Sequence, residues 1–152
     1  MTPTMSDIAE LLRHSRTIAV VGLSPKKHRD SYEVAEYLQN HGYRIIPINP
    51  IYTNETILGE PCYANLLDAA KALNGTKIDI VDCFRRSEDI PPIAKDAITI
   101  GAGCLWMQLD IRHPVATAQA QAAGMMVISD RCTLIDHRDL LLSPAESQSD
   151  EN

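Results

Sequence analysis

Short continuous apolar runs alternate along the chain with longer stretches whose apolar positions recur every three or four residues. Residues 17–22 (TIAVVG) form the first such run, the pattern of a strand buried on both faces. After a polar loop, residues 31–41 place Val34, Ala35 and Leu38 on one side of a helix, which Gly42 ends. Residues 44–49 (RIIPIN) predict a second strand. Its Pro47 lacks a ladder donor and therefore belongs near a sheet edge. A short third strand is expected at 61–63. Asn65 predicts the cap of a helix reaching Leu73, with Asp68 at its third position. Residues 78–84 (IDIVDCF) read as the next strand. Residues 88–100 read as a helix burying Ile93, Ala94, Ala97 and Ile98, with Pro91 and Pro92 in its first turn. A strand at 104–108 (CLWMQ), a helix at 114–123 and a final strand at 125–129 (MMVIS) complete the series. A leading helix is expected over 6–13, with Ser6 as its N-cap.

Strands alternating with helices of this length make βαβ units and a mostly parallel sheet. The expectation is a doubly wound α/β, Rossmann-like fold with strand order 3-2-1-4-5, the last run available as a sixth strand. One domain covers 1–142, and the polar stretch 143–152 (SPAESQSDEN) is expected to be a disordered tail. In that order the sheet reverses direction between the strand ending at Gly22 and the strand ending at Phe84. Ligands of such sheets bind at the reversal, beyond the carboxyl ends of the strands.

Composition narrows the ligand. The chain has 152 residues and a net charge of −6, a poor match for nucleic acid or an anionic membrane surface. No apolar run approaches the length of a membrane span and no secretory signal is legible, so the cytoplasm is the expected compartment. The four cysteines form no C-x-x-C pair and match no zinc spacing; Cys83 and Cys104 read as buried thiols. No metal is expected.

Against this acidic background Lys26, Lys27, His28 and Arg29 crowd the loop after the first strand. The helix that follows offers unpaired N–H groups and the positive end of its dipole, a place for phosphate. Arg29 can add a bidentate contact, Ser24 and Ser31 can donate hydroxyls, and Gly22 lets the backbone come close. Asp30 and Glu33 form a D-x-x-E pair resembling a capping box, and an Asp30 cap would fill part of the anion site. The loop is not G-x-G-x-x-G, and Asn49-Pro50 stands where a nicotinamide-dinucleotide domain wants an acid for the ribose hydroxyls.

These residues resemble the small single-domain CoA-binding proteins, whose Rossmann-like fold is shared with the CoA-binding domain of succinyl-CoA synthetase α subunits. The matching stretches are VVGLSPKKHRDSYEVAEYL, HGYRIIPINP, LGEPCYANL, IDIVDCFRR, LWMQL and AAGMMVISDRC, in the family's order and over nearly the whole chain. The resemblance implies coenzyme A as the ligand, with Gly22, Leu23, Ser24, Lys26, Arg29 and Ser31 at its phosphates. Asn49 and Pro50 would border the adenosine, Phe84 and Arg85 would line the opposite wall, and Trp106 and Gln108 would lie toward the pantetheine. Two departures stand out. Ile51 occupies the place of a lysine suited to the ribose 3′-phosphate, and Lys27 and Asp30 replace prolines around the loop arginine.

Candidate chemistry is confined to Cys132, which follows the last strand, with Asp136 and His137 soon after. A thiol activated by a nearby histidine could exchange with CoA disulfide, forming a mixed disulfide with one CoA and releasing the other as thiol. No other catalytic set is legible. The favoured reading is a CoA or acyl-CoA binding, carrier or regulatory protein. The alternative is a small oxidoreductase or transferase using NAD(P) or CoA as cosubstrate.

Overall fold

A computed structural model describes residues 2–142; the expected tail at 143–152 lies outside the described residues. Helix α1 (Met5–His14) is followed by β1 (Thr17–Val21), α2 (Asp30–Asn40) and β2 (Arg44–Ile48). The short pair β3 (Thr56–Ile57) and β4 (Glu60–Pro61) precedes α3 (Leu66–Leu73), β5 (Ile80–Cys83) and α4 (Ile90–Thr99). Next come β6 (Cys104–Met107), α5 (Pro114–Ala122), β7 (Met126–Ile128) and α6 (Thr133–His137), followed by a helical turn at Arg138–Leu142. None of the described helices is long and apolar enough to cross a membrane.

The five-stranded sheet has the order β2-β1-β5-β6-β7, and every pairing in it is parallel. This is the expected doubly wound arrangement, with the final run serving as the additional strand. The expected third strand at 61–63 is reduced. Tyr63 makes one parallel bridge to Ile48, while Glu60 and Pro61 pair antiparallel with Ile57 and Thr56. Pro61 has no N–H to extend a ladder, so the segment touches the sheet at a single residue. Pro47 sits on β2, an edge strand, as its missing donor requires; its carbonyl accepts from Tyr63 N–H at 3.0 Å.

Every residue of β1, β5 and β6 is buried, because helices cover both faces of the sheet. One core layer joins Val21, Ile46, Val81 and Leu105 to α3, α4 and α5, and the other joins Ile18, Val20, Ile45 and Trp106 to α1 and α2. Asp79 fastens the lower rim by accepting from the N–H groups of Arg16 and Thr17 at 2.8 and 3.0 Å. Helix α1 is capped by Thr4 rather than the expected Ser6. Thr4 and Asp7 form a reciprocal box, each side chain accepting from the other's backbone N–H. The turn begins two residues earlier because only that spacing puts a carboxylate at the third helical position.

Candidate functional site: a crevice across the carboxyl ends of β1 and β5

The loop after β1 is braced from three sides. Gly22 adopts φ +90° and donates its N–H to Ile48 O at 2.7 Å. A Cβ there would meet Phe84 O at 2.7 Å, so the ends of β1 and β5 approach too closely for a side chain. Leu23 is buried, and its carbonyl accepts from Asn49 Nδ2 at 3.1 Å. Ser24 N–H donates to Ser31 Oγ, and Ser24 Oγ accepts from Lys26 N–H, each at 3.1 Å.

Helix α2 is entered through Arg29, whose extended backbone makes it the N-cap while its side chain makes no capping bond. Its carbonyl accepts from the N–H groups of Tyr32 and Glu33 at 3.1 Å. The amides of Asp30 and Ser31 meet no acceptor among the described residues. Asp30 is therefore not the cap that its D-x-x-E spacing suggests. It is the first helical residue, one position late for its carboxylate to close the turn, and the helix start stays open.

Three cavities meet along this crevice. The middle one, about 540 Å³, is bordered by Gly22, Ser24, His28, Arg29, Ser31 and Asn49. A second, about 280 Å³, shares Gly22 with it and is walled by Ile48, Pro50, Leu66 and Ile93, with Asn65, Arg85, Glu88, Asp89 and Asp96 as polar members. The third, about 540 Å³, shares Asp30 and Phe84 with the middle one and continues past Val34 and Gln108 to Cys132 and Leu134. Arg85 lies on the walls of the second and third. Cavities of this size suit small-molecule and cofactor ligands.

The structure thus brings together Gly22, Ser24, Arg29, Ser31, Asn49 and Phe84 at one cavity, and Pro50, Arg85 and Gln108 at its neighbours. Lys26 is exposed and borders none of these cavities. His28 takes the position expected of a lysine. Asn49 is buried with its side chain already engaged, donating to Leu23 O and accepting from Ile51 N–H at 3.0 Å. It shapes the crevice by tying the first loop to the turn after β2. Arg85 Nη2 lies 3.4 Å from Asp89 Oδ2, and Arg86 Nε lies 3.5 Å from the same oxygen. That oxygen is buried and neither arginine gives it a hydrogen bond, so Arg85 is held near the crevice by charge rather than by a directed contact.

Trp106 departs from expectation. It has no exposed surface, shares a core layer with residues of α1 and α2, and donates its indole N–H to Arg131 O at 2.7 Å. It belongs to the core and borders none of the three cavities. Gln108 is buried but reaches the third cavity, and its Nε2 donates to Asp82 Oδ1 at 2.5 Å and Thr133 Oγ1 at 3.0 Å. Burial pushes the Asp82 carboxyl up to about 7, against the opposing hydrogen bonds from Gln108 and Thr133.

The Cys132–His137 pairing does not form. Cys132 borders the third cavity, but burial pushes its thiol up, which lowers its thiolate fraction. The His137 ring is buried beside Tyr37, with Nδ1 2.9 Å from the Tyr37 hydroxyl. Burial and the nearby His41 push its pKa down. Asp136 is likewise spent, accepting from Arg131 Nε at 2.6 Å. No cluster of His, Cys, Asp and Glu among the described residues is arranged to hold a metal ion.

Sequence reasoning named Gly22, Pro50 and Arg85 of the second cavity and missed the rest of its lining. Its signals were the N-cap Asn65 and the first turns of α4, since both segments enter helices at the sheet reversal.

Comparison with known proteins places the chain among similar folds. The uncharacterized protein YneT of Bacillus subtilis (strain 168) is 37% identical over 135 residues, covering 89% of this chain and 95% of its own. A hypothetical protein from Pyrococcus horikoshii OT3 superposes with a TM-score of 0.83 at 37% identity, covering 91% of this chain and 93% of the other. The Thermus thermophilus protein ID.343 superposes with a TM-score of 0.84 at 31% identity, covering 91% of this chain and 100% of the other. The family model described as CoA binding domain matches residues 16–138, which takes in the braced loop, the open start of α2 and all three cavities. By that match the chain belongs to the CoA binding domain family.

Proposed function

We propose that the protein binds coenzyme A or an acyl-CoA through its ADP-diphosphate end, and serves in the cytoplasm as a non-catalytic binding, carrier or regulatory protein. The observation that carries this reading is the continuity of the crevice, with the uncapped start of α2 in its middle cavity. A diphosphate there accepts from the free amides of Asp30 and Ser31 and sits at the positive end of the helix dipole, worth about 0.3–1 kcal/mol and up to about 2 when partly buried. Arg29 adds charge from the rim. The second cavity offers flat apolar walls at Ile48, Pro50 and Ile93 for the adenine, and the third offers a partly apolar channel for the pantetheine arm.

A nicotinamide cofactor fits less well. Its ribose hydroxyls want a carboxylate at the end of β2. Here the chain has Asn49, whose carboxamide is already committed to Leu23 and Ile51. Titration calorimetry with CoA, ADP, NAD and NADP separates the two readings. CoA is expected to bind most tightly, and tighter binding of NAD or NADP would replace this reading with that of a dehydrogenase-like enzyme.

A further inference from the structure

Asp82 lies on the central strand β5, opposite Val20 of β1 and Trp106 of β6, and has no contact with solvent. It borders none of the three cavities along the crevice, so it reaches no ligand there itself. Neither of its oxygens meets a lysine or arginine among the described residues. Oδ1 accepts from Gln108 Nε2 at 2.5 Å and Oδ2 accepts from Thr133 Oγ1 at 3.0 Å. Gln108 Nε2 also donates to Thr133 Oγ1, closing a ring of three side chains. A buried acid in a central strand is costly, which raises the question of what this ring does.

The answer lies in the polarity of the Gln108 carboxamide. Nε2 lies within hydrogen-bond distance of two oxygens, Asp82 Oδ1 and Thr133 Oγ1, and this pair of contacts holds the NH2 side of the amide toward the ring. With the nitrogen held inward, the carbonyl oxygen is turned away from Asp82. Gln108 is only 6% exposed, lines the third cavity, and its Oε1 has no partner among the described residues. The cavity is therefore given one acceptor of fixed direction, with Phe84, Leu109 and Leu134 among the other residues that line it. Thr133 opens α6, the segment whose Leu134 and Ile135 form the far wall, so the same ring holds the acceptor and the wall together.

We propose that Gln108 accepts a hydrogen bond from an amide N–H on the arm of the bound ligand, and that Asp82 is the positioning residue that fixes this polarity. The ligand class is then one whose arm carries a secondary amide, as pantetheine does, rather than a plain alkyl or sugar extension. This inference rests on the CoA reading above.

The test compares CoA with ADP, which keeps the nucleotide and diphosphate and lacks the arm. Gln108→Met is expected to weaken CoA binding about fivefold, the size of one neutral hydrogen bond, and to leave ADP binding as it was. Asp82→Leu is expected to lower the CoA-to-ADP affinity ratio similarly. Asp82→Asn, which keeps an acceptor facing Gln108, is expected to restore most of it. A measurement on the unaltered protein guards against variants that fail to fold. A CoA analogue with the arm amide N–H groups replaced by ester oxygens is expected to bind about fivefold more weakly than CoA. An unchanged ratio in a folded Gln108→Met protein, or equal affinity for the ester analogue, overturns the inference while leaving CoA binding intact. Failure of the unaltered protein to bind either CoA or ADP overturns both this inference and the function on which it rests.

Discussion

Ser24 and Ser31 are joined across the first loop, the N–H of Ser24 donating to Ser31 Oγ at 3.1 Å. Because Ser24 Oγ in turn accepts from Lys26 N–H, both hydroxyl oxygens are used as acceptors from the protein. Both hydroxyl hydrogens remain free to donate. The loop is thereby arranged as a set of donors, two hydroxyls and two helix-start amides, which is the polarity a phosphate needs.

Arg29 supplies the charge beside this set. Its backbone caps α2, while its exposed side chain makes no ion pair or hydrogen bond among the described residues. Arg29→Ala is expected to weaken CoA and ADP binding alike, by about tenfold for a charge-assisted contact at an exposed rim. The thermal midpoint is expected to stay unchanged, since the capping backbone is retained. Calorimetry and thermal unfolding together check this, and an unaltered affinity would count against the anion site.

Gly22 is the converse case, a residue whose replacement strikes fold and site together. Its φ of +90° is strained for an L side chain, and an added Cβ meets the Phe84 carbonyl oxygen at 2.7 Å. The left-handed strain alone is about 1–2 kcal/mol, and neither β1 nor β5 can retreat within a sheet buried on both faces. Gly22→Ala is expected to lower stability by on the order of 2 kcal/mol or more, visible as a loss of roughly 5 °C in thermal midpoint. A variant with wild-type stability would show that the two strand ends separate more easily than their packing implies.

Ile51 is 73% exposed beside the middle cavity, in the turn that Asn49 caps. Nothing in the core depends on it. Without a cation there, CoA and dephospho-CoA are expected to bind with similar affinity. Ile51→Lys is expected to favour CoA about two- to fivefold, the range of an exposed ion pair, with the gain fading as salt is raised. Parallel titrations of the two ligands at low and high ionic strength decide this.

The elements were legible in the sequence where periodicity and local chemistry agree. The runs at 17–22 and 78–84 could only be buried strands, and Asn65 caps α3 by accepting from Asp68 N–H at 2.8 Å, as its spacing requires. The open helix start proposed as the anion site was legible because it is local, a loop and the helix it feeds. What escaped notice depends on contacts distant in sequence. Asp82 reads as one polar interruption in an apolar strand, and its meaning comes from Gln108 and Thr133, 26 and 51 residues away. Trp106 carries no local mark that separates a core indole from a ligand wall; the Arg131 carbonyl 25 residues later settles it. Asp30 misled for a subtler reason. The D-x-x-E pattern fits a cap at 30, but the chain enters the helix one residue sooner.

Cys132 is the one cysteine of the four that is not fully buried, and it borders the cavity proposed for the arm. Burial pushes its thiol up, and His137 is turned toward Tyr37 rather than toward it. Exchange with CoA disulfide would require the Cys132 thiolate to attack one sulfur, form the mixed disulfide and release the second CoA as thiolate. That reaction is expected to be slow at pH 7 and to quicken as the pH rises. Intact-mass measurement over time checks it. A rapid adduct at pH 7 that Cys132→Ser abolishes would mean the thiol is activated in the bound state.

Asp82 also ties stability to pH, with a sign opposite to that of a salt-bridged carboxylate. Its folded pKa is pushed up to about 7, whereas an unfolded aspartate titrates near 3.9. Between these values the folded chain holds a proton that the unfolded chain has lost. Stability from this group is therefore greatest below about pH 4 and declines as the pH rises, with a slope approaching about 1.4 kcal/mol per pH unit, until it levels off above about 7. His137, lowered by burial, contributes the opposite trend, so the Asp82 component has to be read as a difference between proteins that share it. Denaturant unfolding of the wild type and of Asp82→Asn, from pH 5 to pH 8, isolates that component. The stability of the wild type relative to Asp82→Asn is expected to fall steadily up to neutrality and then flatten. A difference independent of pH would mean that the carboxylate stays ionised throughout, with Gln108 and Thr133 supplying all the compensation it needs.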